Sequence, residues 1–262
     1  MNLELKNKTA LISGSTKGIG FAIASQLAAE GAHVMVNGRT DEAVASALQQ
    51  IRQTVPEAKL DGFAGDLSTV KATEELLKRL PSVEILVNNL GIFEPKPFDE
   101  IPDEDWRRFF EVNVLSGVRL SRAYVSGMKQ RNWGRIIFIS SESAIQIPVE
   151  MIHYGTTKTA QLAVSRGLAE YCAGTGVTVN AILPGPTLSA GVEEFVARLS
   201  GGQPFEVFEK QFFKTVRPSS LIKRFATPEE VARLVTFVCS PLASAITGAA
   251  LRVDGGVVRS CF

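Results

Sequence analysis

Between residues 9 and 88 the chain repeats one unit: a short apolar run rich in β-branched residues, a turn, then an amphipathic helical segment. The repeat constrains the fold strongly. Strand and helix alternating through short links give a parallel sheet covered by helices on both faces. The right-handed crossover rule then makes it doubly wound. The expected strands are 9–13, 33–37, 59–64 and 85–88, separated by helices at 19–30, 41–54 and 69–80. Gly31 closes the first helix, and the second starts on acids and stops before Pro56. A helical region at 102–128, strands at 135–140 and 177–183 with a helix reaching 173 between them, a helix at 228–239 and a strand at 249–253 extend the pattern.

The 262 residues suit one α/β domain spanning 1–262. The regularity breaks at about 186–227, where helical fragments at 192–199 and 205–213 flank Gly201 and Gly202. An insertion just after a strand's C-terminal end lies over the binding edge of such a sheet, so a substrate lid is expected. Its Phe205, Phe208, Phe212 and Phe213 suit either an apolar pocket or packing within the insertion.

Charge and composition narrow the function. Twenty-eight Lys and Arg against 27 Asp and Glu leave +1, which gives no reason to invoke nucleic acid or an anionic membrane. No apolar run approaches the ~20 residues of a membrane span. The segment Met1-Asn2-Leu3-Glu4-Leu5 does not read as a signal peptide. Cys172, Cys239 and Cys261 form an odd set without CxxC spacing, so a reducing, cytoplasmic location is expected. With only His33 and His153 as imidazoles, no zinc site is expected.

Two stretches carry chemistry. Between the first strand and first helix lie Gly14, Ser15, Thr16, Lys17, Gly18, Ile19 and Gly20. Glycines there permit positive φ and close backbone approach, and the helix N-terminus suits a pyrophosphate. Near the tip of the second strand stand Asn37, Gly38, Arg39 and Thr40, with no carboxylate to repel a 2′-phosphate. Arg39, aided by Lys17, favours NADP(H), with NAD(H) as the alternative cofactor. Farther on, Tyr154 and Lys158 stand four residues apart on one helix face. A lysine ammonium beside a phenol is expected to lower its pKa and equip it for proton transfer.

With these motifs the chain resembles the short-chain dehydrogenase/reductase family, a Rossmann-type fold, over nearly its whole length. Gly14, Gly18 and Gly20 match the family's glycine motif, and Asn88-Asn89-Leu90-Gly91 resembles its Asn-Asn-Ala-Gly segment. Asn113, Ser141, Tyr154 and Lys158 match its active-site residues, and Pro184-Gly185 with Thr187 its segment after the sixth strand. The resemblance implies that Tyr154 passes the proton, Ser141 binds the substrate oxygen, Lys158 holds the nicotinamide ribose, and Asn113 holds a water leading from Lys158 to solvent. It also implies that Asp66 and Leu67 contact adenine, that Asn88 and Gly91 line the cofactor cleft, and that Thr187 reaches the carboxamide. Leu90 and Gly155 depart from the usual alanine and serine. His153 is expected on the cleft wall or surface, or as a second proton carrier.

The family's 3-oxoacyl-[acyl-carrier-protein] reductases are similar in general look. Their resemblance implies an acyl carrier protein as partner, docked on bases such as Lys129, Arg131 and Arg135, although residues 173–176 lack the second basic patch. The reading is NADPH-dependent reduction of a 3-oxoacyl thioester or related ketone. Oxidation of a secondary alcohol, sugar or steroid-like compound is the alternative, and a catalytically silent nucleotide-binding protein a third. A homotetramer is expected from the resemblance.

Overall fold

The computed structural model describes residues 2–189 and 203–261. Seven strands form one parallel sheet in the order β3-β2-β1-β4-β5-β6-β7. They are β1 (Thr9–Ile12), β2 (His33–Gly38), β3 (Lys59–Ala64), β4 (Ile85–Asn88), β5 (Gly134–Ile139), β6 (Val177–Pro184) and β7 (Ala250–Val253). Helices α1 (Gly18–Ala29), α2 (Asp41–Thr54), α3 (Val70–Arg79), α4 (Asp103–Phe110), α5 (Ser116–Gln130), α6 (Ile152–Tyr171), α7 (Phe205–Thr215) and α8 (Pro228–Val238) connect them. The expected elements are present within a few residues, and the fragment at 192–199 lies outside the described residues.

The apolar runs work because side chains alternate across a strand. Ala10, Ile12, Val34, Val36, Ile85, Val87, Ile137 and Ile139 face one layer, where they meet α1, α2 and α8 through Ile23, Leu27, Ile51, Val231 and Val235. Leu11, Met35, Leu86, Ile136 and Phe138 face the other, against Leu76 of α3, Leu120 and Met128 of α5, and Leu162 of α6. Each fully buried side chain of this kind contributes roughly 1.5–3 kcal/mol. Local signals set the helix starts. Thr40 accepts a hydrogen bond from the Ala43 N–H at 3.2 Å, and Thr227 and Glu230 form a reciprocal cap at α8.

One feature is invisible to periodicity. Between α4 and α5, residues Glu111–Leu115 form a π-helical turn with Asn113 in it. Such a turn bulges the backbone locally and frees groups from the regular ladder. Among the described residues no helix is long and apolar enough to cross a membrane.

β1 pairs with β2 on one side and β4 on the other, so the chain reverses its winding direction there. The crevice beyond the strand ends at such a point is where these sheets bind ligands.

Candidate active site

The glycine turn leaves β1 and enters α1 at that crevice. Gly14 and Gly18 take φ of +61° and +57°, where a side chain is strained. A Cβ on Gly20 would fall 2.4 Å from the Gly14 carbonyl oxygen and 2.5 Å from Asn89 Nδ2. Asn37 fixes the turn: its Oδ1 accepts from the Gly14 N–H at 3.0 Å, and its Nδ2 donates to the Phe63 and Gly65 carbonyls at 3.1 and 3.0 Å. The Ser15 hydroxyl donates to the Ile12 carbonyl at 2.7 Å, and Asn89 Nδ2 donates to the Ser13 and Gly14 carbonyls at 3.0 and 2.8 Å. No side chain caps α1 and no acid stands in its first turn, so its free N–H groups face the cleft with partial positive charge. Thr16 crosses over Gly38, where a Cβ would meet its methyl at 2.4 Å. Lys17 and Arg39 are exposed, and among the described residues no ion pair joins Arg39 to Asp41. These groups fit a dinucleotide carrying an extra phosphate.

Sequence reasoning missed Asn37 and Asn89. A buried amide closing an otherwise apolar strand was the available signal for Asn37. Asn88 needs correction as a cleft residue: its Nδ2 donates to Ser121 Oγ at 3.0 Å on α5, whereas Asn89 and Gly91 line the cavity. The Leu67 side chain is buried in the core beside Phe63 and Leu76, which leaves its backbone as the part that can meet a ligand. Asp66 accepts from the Ser68 N–H and hydroxyl at 3.0 and 2.7 Å.

Tyr154 and Lys158 share a face in the first two turns of α6, with Lys158 Nζ 5.5 Å from the Tyr154 ring centre. Lys158 Nζ donates to the Ile139 carbonyl at 2.9 Å. A Cβ on Gly91 would fall 3.4 Å from this nitrogen and 3.5 Å from Asn113 Oδ1. Asn113 clamps the loop after β4: its Oδ1 accepts from the Ile92 N–H at 2.7 Å, and its Nδ2 donates to the Ile92 carbonyl and Thr157 Oγ1, both at 3.0 Å. Its own carbonyl accepts from Gln161 Nε2 at 2.5 Å. Gly155 also has its explanation, since a Cβ there would sit 2.7 Å from Ile147 Cγ2 and 3.0 Å from the Ser143 carbonyl.

The expectation of a lowered tyrosine pKa is reversed. Burial pushes the Tyr154 phenol well above its ordinary value, the Ser141 hydroxyl and Arg217 pull it down, and Glu142 pushes it up. Desolvation of the phenolate outweighs the neighbouring charges. Burial also lowers Lys158, from 10.5 to about 8. Between those values the unfolded chain binds more protons than the folded one, so this contribution to stability rises with pH across the window. Lys158→Met is therefore expected to melt above wild type most clearly below pH 8, with the gap closing towards pH 10.5. A pH-independent gap in paired melting curves would contradict this.

His153 is neither cleft wall nor surface residue. It is fully buried, tilted against Phe109 with ring centres 4.1 Å apart, and neither ring nitrogen has a hydrogen-bond partner among the described residues. Burial lowers its pKa, which favours the neutral ring.

A cavity of ≈ 830 Å³ joins Ile19, Asn89 and Gly91 to Ser141, Tyr154 and Lys158, and continues past Pro184, Gly185 and Thr187 to α7. Phe208, Phe212 and Phe225 line its far side, while Phe213 is buried against Phe212 and Phe225 at 5.1 Å from each ring centre. The aromatic stretch thus serves both purposes left open by the sequence. The Thr187 hydroxyl donates to the Gly185 carbonyl at 2.9 Å. The cavity also holds charges the sequence did not single out. Ser141 Oγ donates to Glu142 Oε2 at 2.5 Å, and Arg217 donates from Nε to Glu142 Oε1 and from a terminal nitrogen to Glu150 Oε1, each at 3.2 Å.

Arg135 is corrected as a docking base. It is 1% exposed and donates to the Gly134, Gly176 and Ser240 carbonyls. Lys129 lies over the Tyr171 ring, and Arg131 donates to the Val83 carbonyl.

A family model described as Enoyl-(Acyl carrier protein) reductase matches residues 14–258. The uncharacterized oxidoreductase YvaG of Bacillus subtilis is 53% identical over 264 residues, with 100% of both chains covered. The 3-oxoacyl-[acyl-carrier-protein] reductase FabG of Aquifex aeolicus is 34% identical over 264 residues, covering 98% of this chain and 100% of that one. L-Sorbose reductase from Gluconobacter frateurii, solved in complex with NADPH and L-sorbose, superposes with a TM-score of 0.91 at 31% identity, covering 99% of this chain and 100% of that one.

Proposed function

Since this chain belongs to the short-chain dehydrogenase/reductase family of NAD(P)-dependent oxidoreductases, we propose that it reduces a ketone to a secondary alcohol with NADPH. The observation that carries the reading is the single cavity that reaches from the glycine turn to Ser141, Tyr154 and Lys158. Gly14 to Gly20 and the α1 N-terminus would hold the pyrophosphate, and Arg39 with Lys17 the 2′-phosphate. Lys158 and Thr187 would hold the nicotinamide end. The bound cofactor supplies the hydride. Ser141 orients the carbonyl oxygen, and Tyr154 gives that oxygen a proton as the alcohol forms. Asn113 fixes the loop at Ile92 against α6 and so keeps Lys158 in register. In this reading the segment over 186–227 is the substrate lid.

A small, freely diffusing ketone is favoured over a carrier-bound thioester, because the burial of Arg135 removes one of the expected docking bases. A polyhydroxylated ketone, or the reverse oxidation of a sugar alcohol, is the second reading. The charged groups Glu142, Glu150 and Arg217 in the cavity and the likeness to L-sorbose reductase support it. A homotetramer belongs to the same proposal. Phe110, Leu115 and Tyr171, exposed along the run from α4 to α6, are apolar surface that assembly would cover.

Titration with NADPH and NADH, followed by calorimetry, tests the cofactor assignment. Arg39→Ala is expected to weaken NADPH at least tenfold, about 1.4 kcal/mol, and leave NADH nearly unchanged. Equal losses for both cofactors, or none, would show that Arg39 does not read the phosphate.

A further inference from the structure

Next to Ser141 lies a carboxylate that the proposed reaction does not use. Glu142 is 5% exposed, yet its oxygens are fully engaged: Oε2 accepts from Ser141 Oγ at 2.5 Å and from the Ser143 N–H at 2.9 Å, and Oε1 from Arg217 Nε at 3.2 Å. Arg217 comes from a distant part of the chain, two residues beyond the end of α7.

We infer that Arg217 is a positioning residue that couples the placement of the segment after α7 to proton transfer at Tyr154, acting through Glu142 and Ser141. This rests on the roles proposed above for Ser141 and Tyr154. The serine hydroxyl has one proton, which it gives to Glu142, to the tyrosine oxygen or to a substrate oxygen, but only to one at a time. A bare carboxylate at 2.5 Å competes strongly for it. Arg217 offsets that charge and weakens the competition. Its positive charge also favours the tyrosine phenolate, whereas Glu142 opposes it. With Arg217 docked, as in this structure, Glu142 still accepts the serine proton at 2.5 Å, but its charge is offset, so a substrate oxygen or the Tyr154 oxygen competes for that proton on better terms. With Arg217 withdrawn, Glu142 holds the serine proton more tightly.

Among the described residues the charged groups around Tyr154 are few. Glu142 and Arg217 face it across the cavity, Lys158 lies on its own helix, and Glu150 meets Arg217 from the turn before α6. His153 points away, toward Phe109 and Trp106.

The test follows Tyr154 ionisation by phenolate absorbance within milliseconds of a pH jump, before alkaline unfolding, with Tyr154→Phe subtracting Tyr124 and Tyr171. Glu142→Gln is expected to move the midpoint down, and Arg217→Met up, each by roughly one pH unit. Arg217→Lys keeps the charge and should stay near wild type. If Arg217→Met loses its fold because Glu142 is left unpaired, the double variant Glu142→Gln/Arg217→Met carries the test. Its midpoint should lie above that of Glu142→Gln alone. Shifts of the same sign in both single variants, no shift, or no difference between the double variant and Glu142→Gln would overturn the inference. No substrate is needed, so this result is independent of whether ketone reduction itself is correct, which Tyr154→Phe turnover decides.

Discussion

Tyr154→Phe is expected to lower turnover with NADPH by roughly 10²–10⁴-fold, the usual worth of a positioned proton donor. NADPH affinity should stay close to wild type. The substitution keeps the ring that packs edge-on to Phe93, with centres 6.4 Å apart, and removes only the hydroxyl. Lys158 remains held by the Ile139 carbonyl, and Ser141 by Glu142. A group used only as the proton moves should therefore cost kcat, with KM little changed. Steady-state kinetics beside a cofactor titration separate the two. Full activity in the variant would remove Tyr154 from the mechanism. Lost NADPH binding would instead give the residue a structural role.

Gly20→Ala is expected to weaken NADPH binding by roughly 100-fold, about 2.7 kcal/mol, and to lower the melting temperature. The new methyl would fall 2.4 Å from the Gly14 carbonyl oxygen, an approach that real side chains do not make. The neighbour is backbone, and that residue's N–H is held by Asn37 at 3.0 Å, so the turn cannot move aside without breaking the bond to β2. Overpacking of this kind costs roughly 1–3 kcal/mol. Here it also displaces the N–H groups that would face the pyrophosphate. Gly167→Ala is the control: nothing lies within 4 Å of a Cβ there, in the second-last turn of α6. It should be neutral or stabilising by up to ~1 kcal/mol, since alanine favours helix over glycine. Calorimetry and thermal melts of both variants check the contrast, and equal behaviour would refute the steric account.

The fold could be read from the chain because its causes are local. Alternating side chains, glycine at positive φ and a threonine cap each depend on a few neighbouring residues, and backbone geometry fixes their outcome wherever they occur. The four-residue spacing of Tyr154 and Lys158 is of this kind, as is the glycine turn between strand and helix. What the sequence left open depends on segments meeting across the fold. Which asparagine of Asn88-Asn89 faces the cleft is decided by α5, whose Ser121 takes the first. Asn37 becomes the brace of the turn only because β1 and β3 flank its strand. Arg135 looked like a surface base until the sheet closed around it. The direction of the Tyr154 pKa was misjudged for the same reason: spacing gives the distance to a charge, but only packing gives the desolvation that opposes it. The chain by itself determined the doubly wound sheet, the cofactor turn and the Tyr154–Lys158 face. The tertiary structure alone brought Arg217 to Glu142, 75 residues away in sequence, because no local rule links residues that meet only when the core has packed.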